Sequence, residues 1–202
     1  MRQPALASAT ESGVRPPAAL ERQTSAAAAK AGIDYLLSKR RGRHWADFGA
    51  EPLGTAYVVA RLGVLPPDFI DRSLQQVIEE SLDWLVEART PEGGWGSAGG
   101  DDAETTSWAL IALRRSGRST PASAAKLLLR CRRRDGGFAL NPAGGPGDPE
   151  ATALAVQALG SLDQAAETFL LARLQSDGSR LASPLGVCLA ILEWEKGCAL
   201  RH

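Results

Sequence analysis

The chain has 202 residues, of which 44% are hydrophobic and 23% are charged, so it is long enough to bury a sizeable core. Its 23 basic residues balance its 23 acidic residues, which argues against an overall charge field that would attract nucleic acid or an anionic membrane surface. Three cysteines without a C-x-x-C pair and two distant histidines argue against disulfide bonds and a zinc site, so no cofactor is expected.

Residues 1–16 are small, polar and interrupted by prolines, which predicts a flexible leader before a repeat domain at 17–202. No segment has the apolar run of a signal peptide or the longer run of a membrane span. We therefore expect a cytoplasmic protein without a transmembrane segment.

One pattern recurs along the rest of the chain: a one-sided helix, a glycine-rich turn with an aromatic residue, and a short apolar helix. The copies cover 35–65, 84–117, 127–162 and, in degraded form, 169–194. Two sets of residues occupy equivalent positions in the first three copies, namely Trp45, Trp95 and Phe138 in the turns, and Thr55, Thr106 and Thr152 on the apolar helices.

The two helices of each copy differ in how their apolar residues are distributed. In 71–89 these residues recur every three or four positions between Gln, Glu and Asp, which predicts a helix with one face in water. The helices near 55–62, 106–113 and 152–159 are apolar nearly all round, which is typical of burial on both sides. We call the first kind outer helices and the second kind inner helices. The glycine pairs in 91–94 and 134–137 are predicted to supply positive φ in the turns.

These turns resemble the repeat of prenyltransferases and squalene cyclases, in which Q-x-x-(D/E)-G-(G/S)-(F/W) follows an outer helix and D-x-x-x-T opens an inner one. Residues 88–95 and 131–138 match the turn apart from its glutamine, and 173–179 keeps the glutamine but lacks the aromatic residue. The resemblance implies an all-α fold of the α/α-toroid type. Rings of this family have about six hairpins and this sequence contains about four, which predicts a toroid-like arc, an incomplete or small (α/α) barrel. Because an arc has apolar ends, we expect a homodimer or a protein partner that completes it.

The segment 101–105 contains the leading candidates for chemistry. Class II terpene cyclases of this family have a D-x-D-D segment at the start of an inner helix, and its acid protonates an alkene or an epoxide. The resemblance implies that Glu104 is the proton donor and that Asp101 and Asp102 are its electrostatic partners. The sequence departs from the motif at its last position, where Thr105 replaces an aspartate.

Helix capping explains the same residues in a different way. The arrangement D-x-E-x-T occurs twice, beginning at Asp102 and at Asp148, and a feature present in two repeats points to architecture. Both aspartates fit N-caps, with Glu104 and Glu150 at the positive end of the helix dipole. A capping box formed by Asp101 and Glu104 is a further option. In the catalytic interpretation, Asp148 and Glu150 are candidate substrate-binding residues.

Five aromatic residues at turns and inner-helix starts are candidates for the wall of a substrate pocket, or else for wedges between hairpins. They are Trp45, Tyr57, Trp95, Trp108 and Phe138. His44, three residues before Asp47, is a candidate substrate-binding or acid-base residue, or else a surface-loop histidine. Arginines cluster at 38–43, 114–118 and 130–134, where they would bind a diphosphate or an acidic partner, or satisfy helix-terminal carbonyls.

The leading hypothesis is a metal-independent acid-base cyclase, isomerase or related biosynthetic tailoring enzyme that acts on a hydrophobic, isoprenoid-like metabolite. The alternative is a noncatalytic helical-repeat scaffold that binds a partner protein or a lipid. Nucleic acid is not an expected partner, since the sequence contains no groove-reading motif. Zinc-dependent prenylation and thioester chemistry are disfavoured, since the metal ligands and the cysteine segment that they need have no counterpart here.

Overall fold

The computed structural model describes residues 18–46, 51–97 and 100–173. The predicted leader at 1–16 and the degraded fourth copy beyond residue 173 lie outside the described residues. Those that are described form seven α-helices and a two-stranded antiparallel hairpin, so the protein is all-α, as predicted. Within these ranges, no helix combines the length and the apolar character needed to cross a membrane.

The chain divides into two compact units at residue 39. The described part of the first unit is a single helix, α1 (Ala18–Lys39). Near its end, the Lys39 ammonium lies 5.2 Å from the ring centroid of Tyr35, an exposed aromatic residue.

The second unit alternates inner and outer helices. The inner helices are α2 (Glu51–Leu62), α4 (Ala103–Arg115) and α6 (Pro149–Leu159). The outer helices are α3 (Arg72–Glu87), α5 (Ala122–Cys131) and α7 (Gln164–Leu171). A one-turn 3-10 helix (Pro67–Phe69) precedes α3, and the strands β1 (Gly96–Ser97) and β2 (Gly100–Asp101) precede α4.

The inner helices form the core of this unit. Helix α4 packs against both α2 and α6, while α3, α5 and α7 pack on α2, α4 and α6 respectively. Every residue of α4 from 105 to 113 is buried, whereas α3 buries only the face that carries Leu74, Ile78 and Leu82. A fully buried leucine such as Leu110 contributes about 1.5–3 kcal/mol. The alternation predicted from the apolar pattern is confirmed.

Two arginines at the end of α4 show that the inner helices run in parallel. The Arg115 guanidinium donates to the carbonyl of Ala60, in the last turn of α2, at 3.0 Å. The Arg114 guanidinium donates to the carbonyls of Gln157, at 2.9 Å, and Ala158, in the last turn of α6. Cations at helix C-termini satisfy free carbonyls and oppose the helix dipoles. For these two residues, the carbonyl-capping interpretation of the arginine clusters is confirmed.

Glycines with positive φ lie in the turns that follow the outer helices, as the sequence predicts. Gly93 has φ +98° and Gly136 has φ +88°, a region that residues with a Cβ rarely adopt. A Cβ on Gly136 would also lie 2.2 Å from the carbonyl oxygen of Ala165, at the start of α7. These turns therefore require glycine for both conformation and space.

Candidate functional site

The turn aromatics and the inner-helix threonines of the three repeats form the same hydrogen bond. In each repeat the threonine hydroxyl accepts the backbone N–H of the aromatic residue. The pairs are Trp45 with Thr55 at 3.0 Å, Trp95 with Thr106 at 3.1 Å, and Phe138 with Thr152 at 2.8 Å. The equivalence of these positions, predicted from the sequence alone, is confirmed.

Most of the predicted aromatics are buried within the helix packing. Trp45 and Trp95 are fully buried, and Phe138 and Trp108 are nearly so. The Trp95 indole N–H donates to the carbonyl of Leu85 at 2.7 Å, which fixes the turn against the end of α3. These residues are thus part of the buried core, while their roles as wedges between hairpins and as a substrate wall stay predictions.

A guanidinium occupies the aromatic surface between α2 and α4. The rings of Tyr57 and Trp108 meet edge to face, with centroids 4.9 Å apart. The guanidinium carbon of Arg61 lies 5.3 Å from each centroid, close enough for a cation-π interaction with both. A carbocation at this place would compete with a cation that the protein itself supplies.

An aspartate caps the N-terminus of each of the helices α4 and α6. The Asp102 carboxylate accepts the Thr105 N–H at 2.6 Å and the Thr105 hydroxyl at 2.9 Å. The Asp148 carboxylate accepts the Ala151 N–H at 2.8 Å, with proline as the first residue of α6. Both N-caps predicted from the sequence are confirmed. Thr105, which stands where the cyclase motif has an aspartate, donates two hydrogen bonds to the capping carboxylate.

Asp101 has a different role from the one in the predicted capping box. Its carboxylate accepts the Gly94 N–H at 3.1 Å and the Thr90 hydroxyl at 3.0 Å, so it closes the turn after α3. The capping box of Asp101 with Glu104 is therefore wrong, because Asp102 caps α4 and the hairpin of β1 and β2 holds Asp101 against the turn.

The parallel inner helices bring acids from two repeats together in an acidic cluster: Asp101, Asp102, Glu104, Asp148 and Glu150. Burial raises the pKa of Asp102, and the charge of Asp101 adds to this effect, although the bonds from Thr105 oppose it. Burial also raises the pKa of Glu104, as do the charges of Glu150, Asp102 and Asp148. Like charges and desolvation thus both favour the protonated forms of the Asp102 and Glu104 carboxyls.

An open pocket of about 410 Å³ lies beside the cluster. Its lining residues are Glu92, Gly100, Asp101, Asp102, Leu127, Arg130, Asn141, Pro142 and Ala143. Of the predicted site residues, Asp101 and Asp102 belong to this lining, whereas Glu104, Asp148, Glu150, His44 and the five aromatics do not. The pocket thus joins acids of one repeat to a loop of the next.

His44 lies on the first repeat. Its ring stacks on Trp84 with centroids 4.7 Å apart, and its Nε2 is 3.6 Å from a carboxylate oxygen of Glu51. Its predicted partner Asp47 lies outside the described residues. Stacking on an outer-helix tryptophan gives His44 a packing contact, and its acid-base role stays a prediction.

Sequence reasoning missed the residues that the third repeat contributes to the pocket. The separation between turn aromatic and inner-helix threonine is 14 residues in this repeat and 11 in the second. The longer segment supplies Asn141, Pro142 and Ala143 to the lining. The extra length was visible in the sequence, and it was the signal for a loop with its own role.

Two further observations bear on the chemistry. Among the residues that the structure describes, no group of three or more His, Cys, Asp or Glu side chains is arranged to hold a metal ion. Cys131 is buried at the end of α5, and burial raises the pKa of its thiol to about 11. Its thiolate form is therefore rare at neutral pH, which makes it a poor nucleophile.

The chain matches no protein-family model and no curated protein. It is similar to a protein from Actinoplanes whose crystal structure has been solved, with a TM-score of 0.55 and 23% sequence identity. The match covers 82% of this chain and 73% of that one. A likeness at this level of identity shows a shared helical fold and carries no function with it.

Proposed function

We propose that the protein is a metal-independent acid-base enzyme of the α/α-toroid class that protonates a small hydrophobic metabolite, such as an isoprenoid. The observation that carries this proposal is the arrangement of carboxylates from two repeats around the half-buried Glu104, which raises the pKa of its carboxyl. A carboxyl with a raised pKa keeps its proton at a pH where ordinary carboxylates have lost theirs, which is the property that a general acid needs.

The pocket supplies the second part of the proposal. Leu127, Pro142 and Ala143 give it an apolar wall, and Asp101 and Asp102 give it an acidic one. Glu104 is the proton donor in this proposal, and Asp102, whose pKa is also raised, is its electrostatic partner on the pocket lining. A hydrophobic ligand would exclude water from the pocket and raise both pKa values further.

The test is conversion of hydrophobic metabolites extracted from the host cells, followed by mass spectrometry for products of unchanged mass. We expect the wild type to produce an isomer, and Glu104→Gln and Asp102→Asn to slow its formation at least about 100-fold, the usual contribution of a general acid. Glu87→Gln, on an outer helix where Glu87 pairs with Arg43, is the matched control and should keep full activity. No conversion by the wild type, or full conversion by both acid variants, contradicts the proposal.

A noncatalytic scaffold is the second candidate, and the repeated N-caps favour it. Asp102 and Asp148 cap α4 and α6 in the same way, and the aromatics of the repeats are packed inside the protein. In this case the acids serve stability, and the protein binds a partner protein or a lipid. Acid variants would then lower the melting temperature without changing any reaction. The molecular mass in solution separately tests whether a second copy completes the arc.

A further inference from the structure

The longer loop of the third repeat, residues 139–147, is bonded by several backbone groups and by one arginine side chain. The loop begins after Phe138 and ends at the N-cap Asp148, and the backbones of these two residues are bonded at 2.8 Å. Beyond this neck the chain turns back between Asn141 and Gly144. Gly145 follows with φ +92°, so the tip includes a backbone conformation that only glycine adopts readily.

Arg133 binds both sides of this turn. Its Nη2 donates to the carbonyls of Asn141, at 2.9 Å, and Gly144, at 3.0 Å. Its Nε donates to the carbonyl of Gly145 at 3.0 Å, and its Nη1 donates to that of Arg130 at 3.2 Å, in the last turn of α5. A planar guanidinium presents its donors in a fixed fork, which lysine cannot reproduce. Arg133 therefore fastens the loop to the outer helix that lines the pocket.

The other side of the loop is bonded to the first residue of α4, between two members of the acidic cluster. The carbonyl of Leu140 accepts the N–H of Ala103 at 2.7 Å, and Ala103 directly follows the N-cap Asp102. The next residues along the loop, Asn141 and its two successors, line the same pocket as Asp101 and Asp102. The loop therefore lies where a change in its position would alter the access of water to these acids.

We propose that Arg133 is a positioning residue, which holds the 139–147 loop as the wall of the pocket and so keeps water from Asp102. This inference rests on the proposed function, because the exclusion of water from Asp102 matters for catalysis only if the pocket binds a hydrophobic ligand. It does not require turnover for its test.

The charged and titratable groups around Asp102 determine how the test is interpreted. They are Asp101, Glu104 and Cys131, with Glu92 and Arg130 on the pocket lining. Removing the positive charge of Arg133 would, by electrostatics alone, raise the pKa of Asp102. Releasing the loop would hydrate the carboxyl and lower its pKa. The two effects have opposite signs, so the direction of the change identifies the cause.

The experiment compares Arg133→Gln and Arg133→Lys with the control Arg134→Gln, an exposed neighbour. The readouts are the carboxyl pKa of Asp102 by NMR titration and the hydrogen exchange of the Ala103 amide. We expect Arg133→Gln to lower that pKa toward its ordinary value and to speed exchange about tenfold, the equivalent of one lost hydrogen bond. Arg133→Lys keeps the charge and should show the same changes in smaller measure.

An unchanged or higher pKa together with wild-type exchange at Ala103 would overturn the inference, as would equal changes in Arg134→Gln. If Arg133→Gln does not fold, the lysine variant decides by the same two readouts. Either result is independent of whether the protein turns over a substrate. A failure of the positioning role of Arg133 can therefore be distinguished from a failure of the proposed enzymatic function.

Discussion

Two aspartates that cap helices with the same hydrogen bond have pKa values shifted in opposite directions. Asp102 accepts the Thr105 N–H at the start of the inner helix α4, and Asp163 accepts the Ala166 N–H at the start of the outer helix α7. The pKa of Asp102 is raised, chiefly by burial. The pKa of Asp163 is lowered, chiefly by its hydrogen bond with Arg132, whose Nη2 donates to it at 2.7 Å.

The comparison separates what a cap does for a helix from what the surroundings do to an acid. Each aspartate satisfies a free N–H at a helix start. Asp102 lies half-buried beside Asp101, whereas Asp163 lies at the surface beside an arginine. A capping role is therefore compatible with a raised pKa where the capping carboxyl is half-buried, as Asp102 shows.

The largest expected difference between inner and outer positions concerns two threonines. The buried Thr106 hydroxyl accepts the Trp95 N–H at 3.1 Å and donates to the Trp95 carbonyl at 3.0 Å. Thr106→Val leaves the Trp95 N–H unsatisfied in the interior, while the Trp95 carbonyl keeps its bond from the Asp102 N–H, and it should reduce the free energy of unfolding by about 1–3 kcal/mol. Urea denaturation measures this loss.

Thr168→Val is the matched control on α7. The Thr168 hydroxyl is exposed and donates only to the carbonyl of Gln164 within the same helix, at 2.7 Å. Its removal should change the free energy of unfolding by less than about 0.5 kcal/mol. Equal losses in the two variants would show that the aromatic-threonine bond does not stabilise the turn against its inner helix.

Features that depend on neighbours in the chain were predictable from the sequence. The N-caps of Asp102 and Asp148 follow from residue type and from the apolar segment after them, and the turn glycines follow from their pairing after a helix. The inner and outer helices follow from apolar periodicity. Each of these signals spans only one or two turns of chain.

Features that depend on packing between repeats were not predictable in the same way. The charges of Glu104 and Glu150 act on each other because α4 and α6 pack in parallel, which no local pattern encodes. Asp101 reaches back to Gly94 because a hairpin intervenes. The bonds from Arg133 to the 139–147 loop need the loop conformation, which its glycines leave open to tertiary contacts. More of the fold than of the candidate site could therefore be predicted from the sequence.

The two caps should respond to pH in opposite directions. At neutral pH, Asp102→Ala and Asp163→Ala should each reduce the free energy of unfolding by about 1 kcal/mol, the usual loss of an N-cap. A raised pKa means that the folded state binds the proton of Asp102 more tightly than the unfolded state does. The wild type therefore gains stability as the pH falls from above the folded-state pKa of Asp102 to the ordinary aspartate pKa. The penalty of Asp102→Ala should therefore grow in this window.

Asp163 gives the reverse trend. Because the pKa of Asp163 is lowered, its carboxylate stabilises the folded state at pH values above the ordinary aspartate pKa. This contribution is lost as the pH falls through the folded-state pKa. The penalty of Asp163→Ala should shrink over that lower range. Denaturation series at several pH values measure both trends, and parallel pH profiles for the two variants would contradict the contrast between inner and outer caps.

The smallest expected effect is the sharpest test of the acidic cluster, because it has an unusual sign. Glu104→Gln removes a half-buried carboxylate that repels three others, so it should raise the free energy of unfolding at neutral pH by about 0.5 kcal/mol. The gain should vanish as pH falls, since the wild-type carboxyl then takes up its proton. Glu167→Gln, in the first turn of α7, should instead lose about 0.3–1 kcal/mol of dipole stabilisation. A destabilised Glu104→Gln would mean that Glu104 serves its helix as Glu167 does, and the proposed proton donor would lose its physical basis.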